Sequence, residues 1–300
     1  MYASRRRRTG IWLVAPALVV LVAILAYPIL ASIVLAFTEV SPSPGGFELA
    51  WVGLDNYARM PEDAAFAIAF RNSIYFTVVE VVAVVGLSLL AALMLNHPAG
   101  RNGAFRVVLL VPWALAPVAN AVLWKWIYNA NYGILNAILL QLGVADEKVV
   151  WLGDPFLALN MILIADIWKA VPFIALLLLA GLQNIPSHLY RAARLDGAGA
   201  WQQFRFVTLP GLRTPILIAV VLQSIWALKV FDLIFVLTKG GPADGTVLLN
   251  FLAWRVTFNF LDFGYGAAIA NVLFVFMFML AIAYVRTLDP NRGRRAPVTA

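Results

Sequence analysis

Six apolar runs, each long enough to form a helix of about 20 residues, leave this 300-residue chain few ways to fold. They extend over Ile11 to Phe37, Ser73 to Leu95, Val107 to Tyr128, Leu157 to Leu182, Pro215 to Leu237 and Gly266 to Val285. A bilayer hydrocarbon core of about 30 Å is crossed by about 20 helical residues, and inside it every backbone N–H and C=O must be bonded within its own segment. The pattern predicts an all-α polytopic membrane protein with six transmembrane helices, forming a single membrane domain over residues 11–288. A basic segment, 1–10, precedes it and a tail, 289–300, follows. With 63% hydrophobic and 12% charged residues, the chain carries more apolar surface than a soluble fold can hide. A water-soluble enzyme, a disordered chain and a collagen-like chain are excluded. The absence of cysteine removes disulfides, thiolate nucleophiles and cysteine metal sites.

Charge sets the expected orientation. The first run follows Arg5, Arg6, Arg7 and Arg8 and far exceeds the roughly 7–15 apolar residues of a secretory signal, so it is expected to be an uncleaved anchor. If the N-terminus is cytoplasmic and the spans alternate, cytoplasmic segments hold 14 basic residues and only Asp196 and Asp289 as acids. The outer segments hold 5 basic and 10 acidic residues. Net charges of +12 inside and −5 outside place both termini in the cytoplasm. The net charge of +7 thus reports topology, and no nucleic-acid partner is expected.

Between the fourth and fifth runs the chain reads Tyr190-Arg191-Ala192-Ala193-Arg194-Leu195-Asp196-Gly197-Ala198-Gly199-Ala200-Trp201-Gln202-Gln203-Phe204-Arg205-Phe206-Val207-Thr208-Leu209-Pro210. This predicts a helix capped by Ser187 and ended by a left-handed Gly197, then a second helix stopped by Pro210. The alanines admit close approach of a groove or another backbone, while Leu195, Phe204 and Val207 offer apolar contact. By composition alone, an amphipathic helix lying on lipid headgroups is an equal reading.

The order of residues resembles the cytoplasmic loop shared by the membrane subunits of binding-protein-dependent ABC importers. Its pattern is Glu-Ala-Ala, three residues, Gly, nine residues, Ile, one residue, Leu-Pro. Ala192, Ala193, Gly197, Leu209 and Pro210 fall at those spacings, Val207 takes the isoleucine position, and Asp196 and Ala198 complete an Asp-Gly-Ala core. Arg191 replaces the family's glutamate. Further fragments look like the maltose-type sugar and glycerol-3-phosphate permeases: Gly53-Leu54-Asp55-Asn56-Tyr57, Gly133-Ile134-Leu135-Asn136, Thr238-Lys239-Gly240-Gly241-Pro242 and Gly264-Tyr265-Gly266. The resemblance implies a type I ABC importer permease whose loop 186–212, with Phe204 among its contacts, couples to the ATPase. It also implies a second homologous permease, two ATP-binding subunits and an extracytoplasmic solute-binding protein as partners. A sugar, or glycerol-3-phosphate, would be the substrate.

Charged groups at membrane depth cost about 2.5–3.5 kcal/mol each and call for partners or a wet cavity. Glu80, Lys125, Asp166, Lys169, Lys229 and Asp232 are the candidates. Asp166 with Lys169 and Lys229 with Asp232 are three apart, so ion pairs along helix faces are the simplest expectation. A sugar site needs hydrogen-bonding side chains and flat aromatic faces, so Asn120, Trp124, Asp166, Trp168, Gln223, Trp226 and Asn271 are candidate pathway residues, although interfacial belts and helix packing use the same residue types. No Gly-x-x-x-x-Gly-Lys-Ser/Thr occurs, so nucleotide hydrolysis is assigned to a separate subunit. With only His97 and His188 and no His-Glu-x-x-His, no metal, cofactor or catalytic residue is expected. An ion-coupled secondary transporter, with Glu80 or Asp166 carrying protons, is the main rival.

Overall fold

The computed structural model describes residues 14–16, 18–43, 45–97 and 103–288. Expectations for the arginine quartet, Arg101, Asp289 and the C-terminal tail lie outside the described residues. The chain divides into two units, the first being Met1–Ala64 with Leu252–Phe274 and the second Ala65–Phe251 with Val275–Ala300.

In the first unit, α1 (Val14–Leu35) is strongly apolar, with Ser32 among its few polar groups, and includes one π-helical turn, Val22–Ala26. Beyond it stands a feature that the turn-rich composition did not suggest, an antiparallel hairpin of β1 (Thr38–Ser43) and β2 (Gly46–Trp51), with Thr38 opposite Trp51 and Ser43 opposite Gly46. Alternation of Leu49 and Trp51 with Glu48 and Ala50 gives the second strand a period of two. Phe37 stacks on Trp51 at 5.6 Å. A short helix, α2 (Asp55–Ala58), is tied to the start of the hairpin by the buried Asn56, whose Nδ2 donates to the carbonyls of Ala36 and Thr38 at 3.0 Å. Gly264 abuts the Thr38 carbonyl so closely that a Cβ there would overlap it.

The second unit begins with α3, which the first unit's last residue opens (Ala64–Asn96), and continues with α4 (Gly103–Ala114), α5 (Pro117–Ile127), α6 (Ile134–Gln141) and α7 (Pro155–Gln183). After α8 (Ser187–Leu195) and α9 (Ala200–Gln203), a π-helical turn, Phe204–Thr208, leads into α10 (Leu209–Gly211) and then α11 (Arg213–Leu228). The described chain ends with α12 (Asp232–Leu237), α13 (Leu249–Phe258) and α14 (Phe263–Leu288). Among the described residues five helical stretches are long and apolar enough to cross a bilayer, and a sixth span results if α4 and α5 count as one.

That pair is bent by 97°, where the sequence suggested one span over Val107 to Tyr128. Pro117 explains it, since the ring disfavours helical geometry in the residue before it, and Ala116 is extended at φ −59°, ψ 144°. The core of this unit joins α3, α7 and α11 through Val84, Ala92, Ile174, Leu178 and Ala219, all at 0% exposure. A Cβ on Gly181 would lie 2.6 Å from the Pro215 ring, so glycine is what lets α7 and α11 approach.

Candidate functional site

Two places in the second unit carry the residues singled out by sequence. The first is the elbow between α7 and α11. Gly197 lies at φ +78°, its N–H bonds to the Arg194 carbonyl at 3.1 Å, and Ala198 N–H bonds to the Ala193 carbonyl at 2.9 Å. This pair of bonds closes a helix C-terminus on a left-handed residue, a conformation that costs glycine little. The next helix starts with the Gln202 side chain accepting from Gly199 N–H at 2.8 Å. Gln203 Nε2 bonds to the Ala198 carbonyl at 2.9 Å, and the Tyr190 and Thr208 hydroxyls meet at 2.9 Å, so the two arms are bound into one body.

Two local expectations are corrected here. Ser187 does not cap α8: Pro186 occupies that position, and the Ser187 hydroxyl instead accepts from Arg191 Nη1 at 3.3 Å. Pro210 does not stop the second helix. The π turn places a bond from Leu209 N–H to the Phe204 carbonyl, five residues back, and the helix passes through the proline to Gly211.

The elbow's polar groups are mostly paired while its apolar side chains stand in the open. Leu195 is 89% exposed, and Trp201 and Phe206 are each 70% exposed. Arg191, Ala192, Asp196, Leu209 and Pro210 are exposed as well, whereas Ala193, Ala198, Phe204 and Val207 are half-buried. Phe204 stacks under Trp201 at 5.4 Å. Sequence reading picked Phe204 and Val207 as contacts and passed over Trp201 and Phe206. The extra residue in the π turn shifts the helical phase, which a strict 3.6-residue period cannot anticipate.

The second place is a cavity of about 280 Å³. Its wall includes Asn120 from α5, Asp166 and Lys169 from α7, Gln223 and Trp226 from α11, Lys229 from the break that follows, and Asp232 at the start of α12. Four of the seven pathway candidates thus meet here: Asn120, Asp166, Gln223 and Trp226. Trp113, not singled out before, joins Trp226 in the wall, and Phe173, which is not a lining residue, lies 5.2 Å from Trp113 and 5.4 Å from Trp226. Trp124 and Trp168 pack edge to face at 5.6 Å and are not among the lining residues. Asn271, in the first unit, donates to the Ser32 carbonyl at 3.3 Å and the Tyr57 hydroxyl at 3.4 Å.

The expected ion pairs do not close to salt-bridge distance. The helix is broken at Lys229 to Phe231, so Lys229 and Asp232 do not share a helix face, and Asp166 has the Glu80 carboxyl as well as Lys169 for a charged neighbour, with Glu80 Oε2 left without a hydrogen-bond partner. Glu80, at 0% exposure, accepts through Oε1 from Gln223 Nε2. Asn120 Nδ2 donates to the Ala165 carbonyl at 3.5 Å. The remaining amide oxygens, Asn120 Oδ1 and Gln223 Oε1, are buried and have no partner.

Buried polar atoms are nearly always bonded, so two unpartnered acceptors in the wall of a cavity mark a place where donors from a ligand or water belong. Flat aromatic faces beside them suit a ring whose C–H groups stack while its hydroxyls donate.

Residues 84–292 match the family described as the binding-protein-dependent transport system inner membrane component. The trehalose/maltose transport system permease protein MalF of Thermococcus litoralis is 38% identical over 283 residues, 94% of this chain and 94% of that protein. The sulfoquinovosyl glycerol transport system permease protein SmoG of Agrobacterium fabrum is 34% identical, covering 94% of this chain and 91% of its own length. In fold, the chain is similar to one from a bacterial ABC transporter involved in the import of the acidic polysaccharide alginate, with a TM-score of 0.79 at 21% identity over 96% of this chain and 100% of that one. With more than half its length matched by the family and a relative this similar from end to end, the chain belongs to the inner-membrane components of binding-protein-dependent transport systems.

Proposed function

We propose that this chain forms part of the translocation pathway of an ATP-driven sugar importer, with a second homologous permease, two ATP-binding subunits and an extracytoplasmic binding protein as its partners. The carrying observation is the elbow: Leu195, Trp201 and Phe206 project from a bonded, glycine-turned body whose Ala192, Ala193, Gly197, Leu209 and Pro210 keep the spacing of the family's coupling loop. Apolar side chains held rigidly in the open suit a protein groove, because burying each on docking contributes about 1.5–3 kcal/mol. ATP-driven closure of the ATPase pair would move the elbow as a rigid body and switch the helices between outward and inward access. Loop 186–212 then faces the cytoplasm, as do both termini, and ATP hydrolysis belongs to the partner subunits. The cavity supports a substrate rich in hydroxyls. Relatives named for trehalose/maltose, lactose and sulfoquinovosyl glycerol transport favour a di- or oligosaccharide or a glycoside of similar size.

Lys169 and Lys229 line the cavity without closing a salt bridge to Asp166 or Asp232, and they favour a second reading, a sugar that carries an anionic group. The test is reconstitution of the assembled importer in proteoliposomes with labelled maltose, trehalose, lactose and sulfoquinovosyl glycerol. Uptake should require ATP and the binding protein. Uptake by this chain alone, driven by a proton gradient and indifferent to ATP, would overturn the proposal in favour of a secondary transporter. Because the chain has no cysteine, a single Leu195→Cys substitution offers a clean topology probe: reagents confined to the cytoplasmic side should label it.

A further inference from the structure

We infer that Glu80, which does not line the cavity, is a positioning residue that fixes which end of the Gln223 amide the cavity presents. This rests on the reading of the cavity as a sugar pathway.

A primary amide has a donor end and an acceptor end, and rotation about one bond exchanges them. At Gln223 the choice is made from behind. Glu80 on α3 is wholly buried, and its Oε1 accepts from Gln223 Nε2. The donor end is thereby held against α3, and Gln223 Oε1 is left buried and unpartnered in a residue of the cavity wall. Asn120 repeats the arrangement with a different anchor, the Ala165 carbonyl, and also leaves its oxygen without a partner. Two amides held by their donor ends make a cavity that asks for donors, as sugar hydroxyls are. Asp166, itself in the wall, is a charged neighbour of Glu80 from a second helix, α7, while Glu80 Oε2 has no hydrogen-bond partner, so Gln223 is the group that Glu80 holds. An ionisable group at membrane depth is costly to insert, and a packing role alone would be filled better by leucine. The role proposed here explains why a carboxyl group stands at this position.

The experiment measures uptake of labelled maltose, trehalose, lactose and sulfoquinovosyl glycerol by the assembled importer carrying Glu80→Leu, Glu80→Gln, Gln223→Leu, Gln223→Glu and the exchange E80Q/Q223E. Glu80→Leu frees the amide to turn and should raise the KM of the transported sugar about tenfold, with Vmax and yield of assembled importer little changed. Glu80→Gln keeps an oxygen that can accept from Gln223 and should stay within about threefold of the parent. Gln223→Glu sets a third carboxyl group beside Glu80 and Asp166 and should be impaired. The exchange restores a donor facing an acceptor, with an oxygen again turned to the cavity, and should recover uptake even if Glu80→Leu fails to assemble.

The double variant E80L/Q223L should be no worse than Gln223→Leu alone, a non-additivity that a merely structural Glu80 would not produce. The inference is overturned if Glu80→Gln is as damaging as Glu80→Leu, if the exchange does not recover, or if the two leucine penalties multiply. Loss of uptake in Gln223→Leu with a normal Glu80→Leu removes the role of Glu80 and leaves the pathway intact. Normal uptake of every sugar by Gln223→Leu removes the pathway reading itself.

Discussion

The elbow around Gly197 and the cavity around Gln223 lie in the same unit and depart from an ordinary protein surface in opposite ways. On the elbow the polar groups find partners within the segment, Tyr190 with Thr208, Gln203 with Ala198 and Gln202 with Gly199, while Leu195, Trp201 and Phe206 are exposed. In the cavity the aromatic rings pack on one another, while two amide oxygens are buried without a partner. Each departure describes what is missing. Exposed apolar side chains on a rigid support suit a protein groove that would remove them from water; buried unpaired acceptors suit a small molecule that would bring donors. Both belong to one machine only if motion at the first changes access to the second.

The largest effect should come from breaking the elbow. Gly197→Val imposes a β-branched side chain at φ +78°, at a cost of about 1–3 kcal/mol or a change of turn. ATP-driven uptake is expected to fall by on the order of a hundredfold while insertion, followed by membrane fractionation, is unchanged. Sugar-stimulated ATPase activity at the parent level in this variant would separate the elbow from coupling.

Removing an acceptor from the cavity should act on binding and not on coupling. Asn120→Leu takes away Oδ1 and leaves the Ala165 carbonyl without that donor, and the KM for the transported sugar should rise about tenfold. An equal fall in the ratio of sugar moved to ATP hydrolysed would mean that the two sites are not distinct in role.

The smallest effect should follow Tyr190→Phe, which deletes the hydroxyl bridge to Thr208 at a cost of about 1 kcal/mol. A modest loss in that ratio, with KM unchanged, would show that the two arms must move together. No loss at all would show that the remaining bonds at Gln203 and Ala198 suffice.

Much of this was legible in the residues. Spans follow from length and hydropathy, and the left-handed turn at Gly197 follows from its place behind a helix and before Ala198-Gly199. Outside the elbow, the fragments that carry the family resemblance include residues that hold loops together. Asn136 bonds the carbonyls of Ala130 and Val149 and accepts from Trp151, Thr238 meets Thr246 at 2.7 Å, and Gly264 makes room for the backbone of Thr38. Such positions tolerate few side chains, which is why they stand out in sequence while the pathway residues do not. The hairpin Thr38–Trp51 was illegible because prolines and glycines in its middle read as turn, and its pairing depends on a partner strand.

Sequence alone therefore decided the number of apolar runs, the asymmetry of charge across them and the helix–glycine–helix of the elbow, because each depends on the residue's own chemistry or on neighbours within a turn or two. Tertiary structure decided the rest. The 97° bend between α4 and α5 and the break before Asp232 set which helix faces meet. That Glu80 reaches Gln223 across 143 positions, and that Asp166 has Glu80 as well as Lys169 for a charged neighbour, are consequences of three helices packing through small and apolar residues. A pairing between distant side chains exists only once the backbone has brought them together, and no periodicity within a single span can express it.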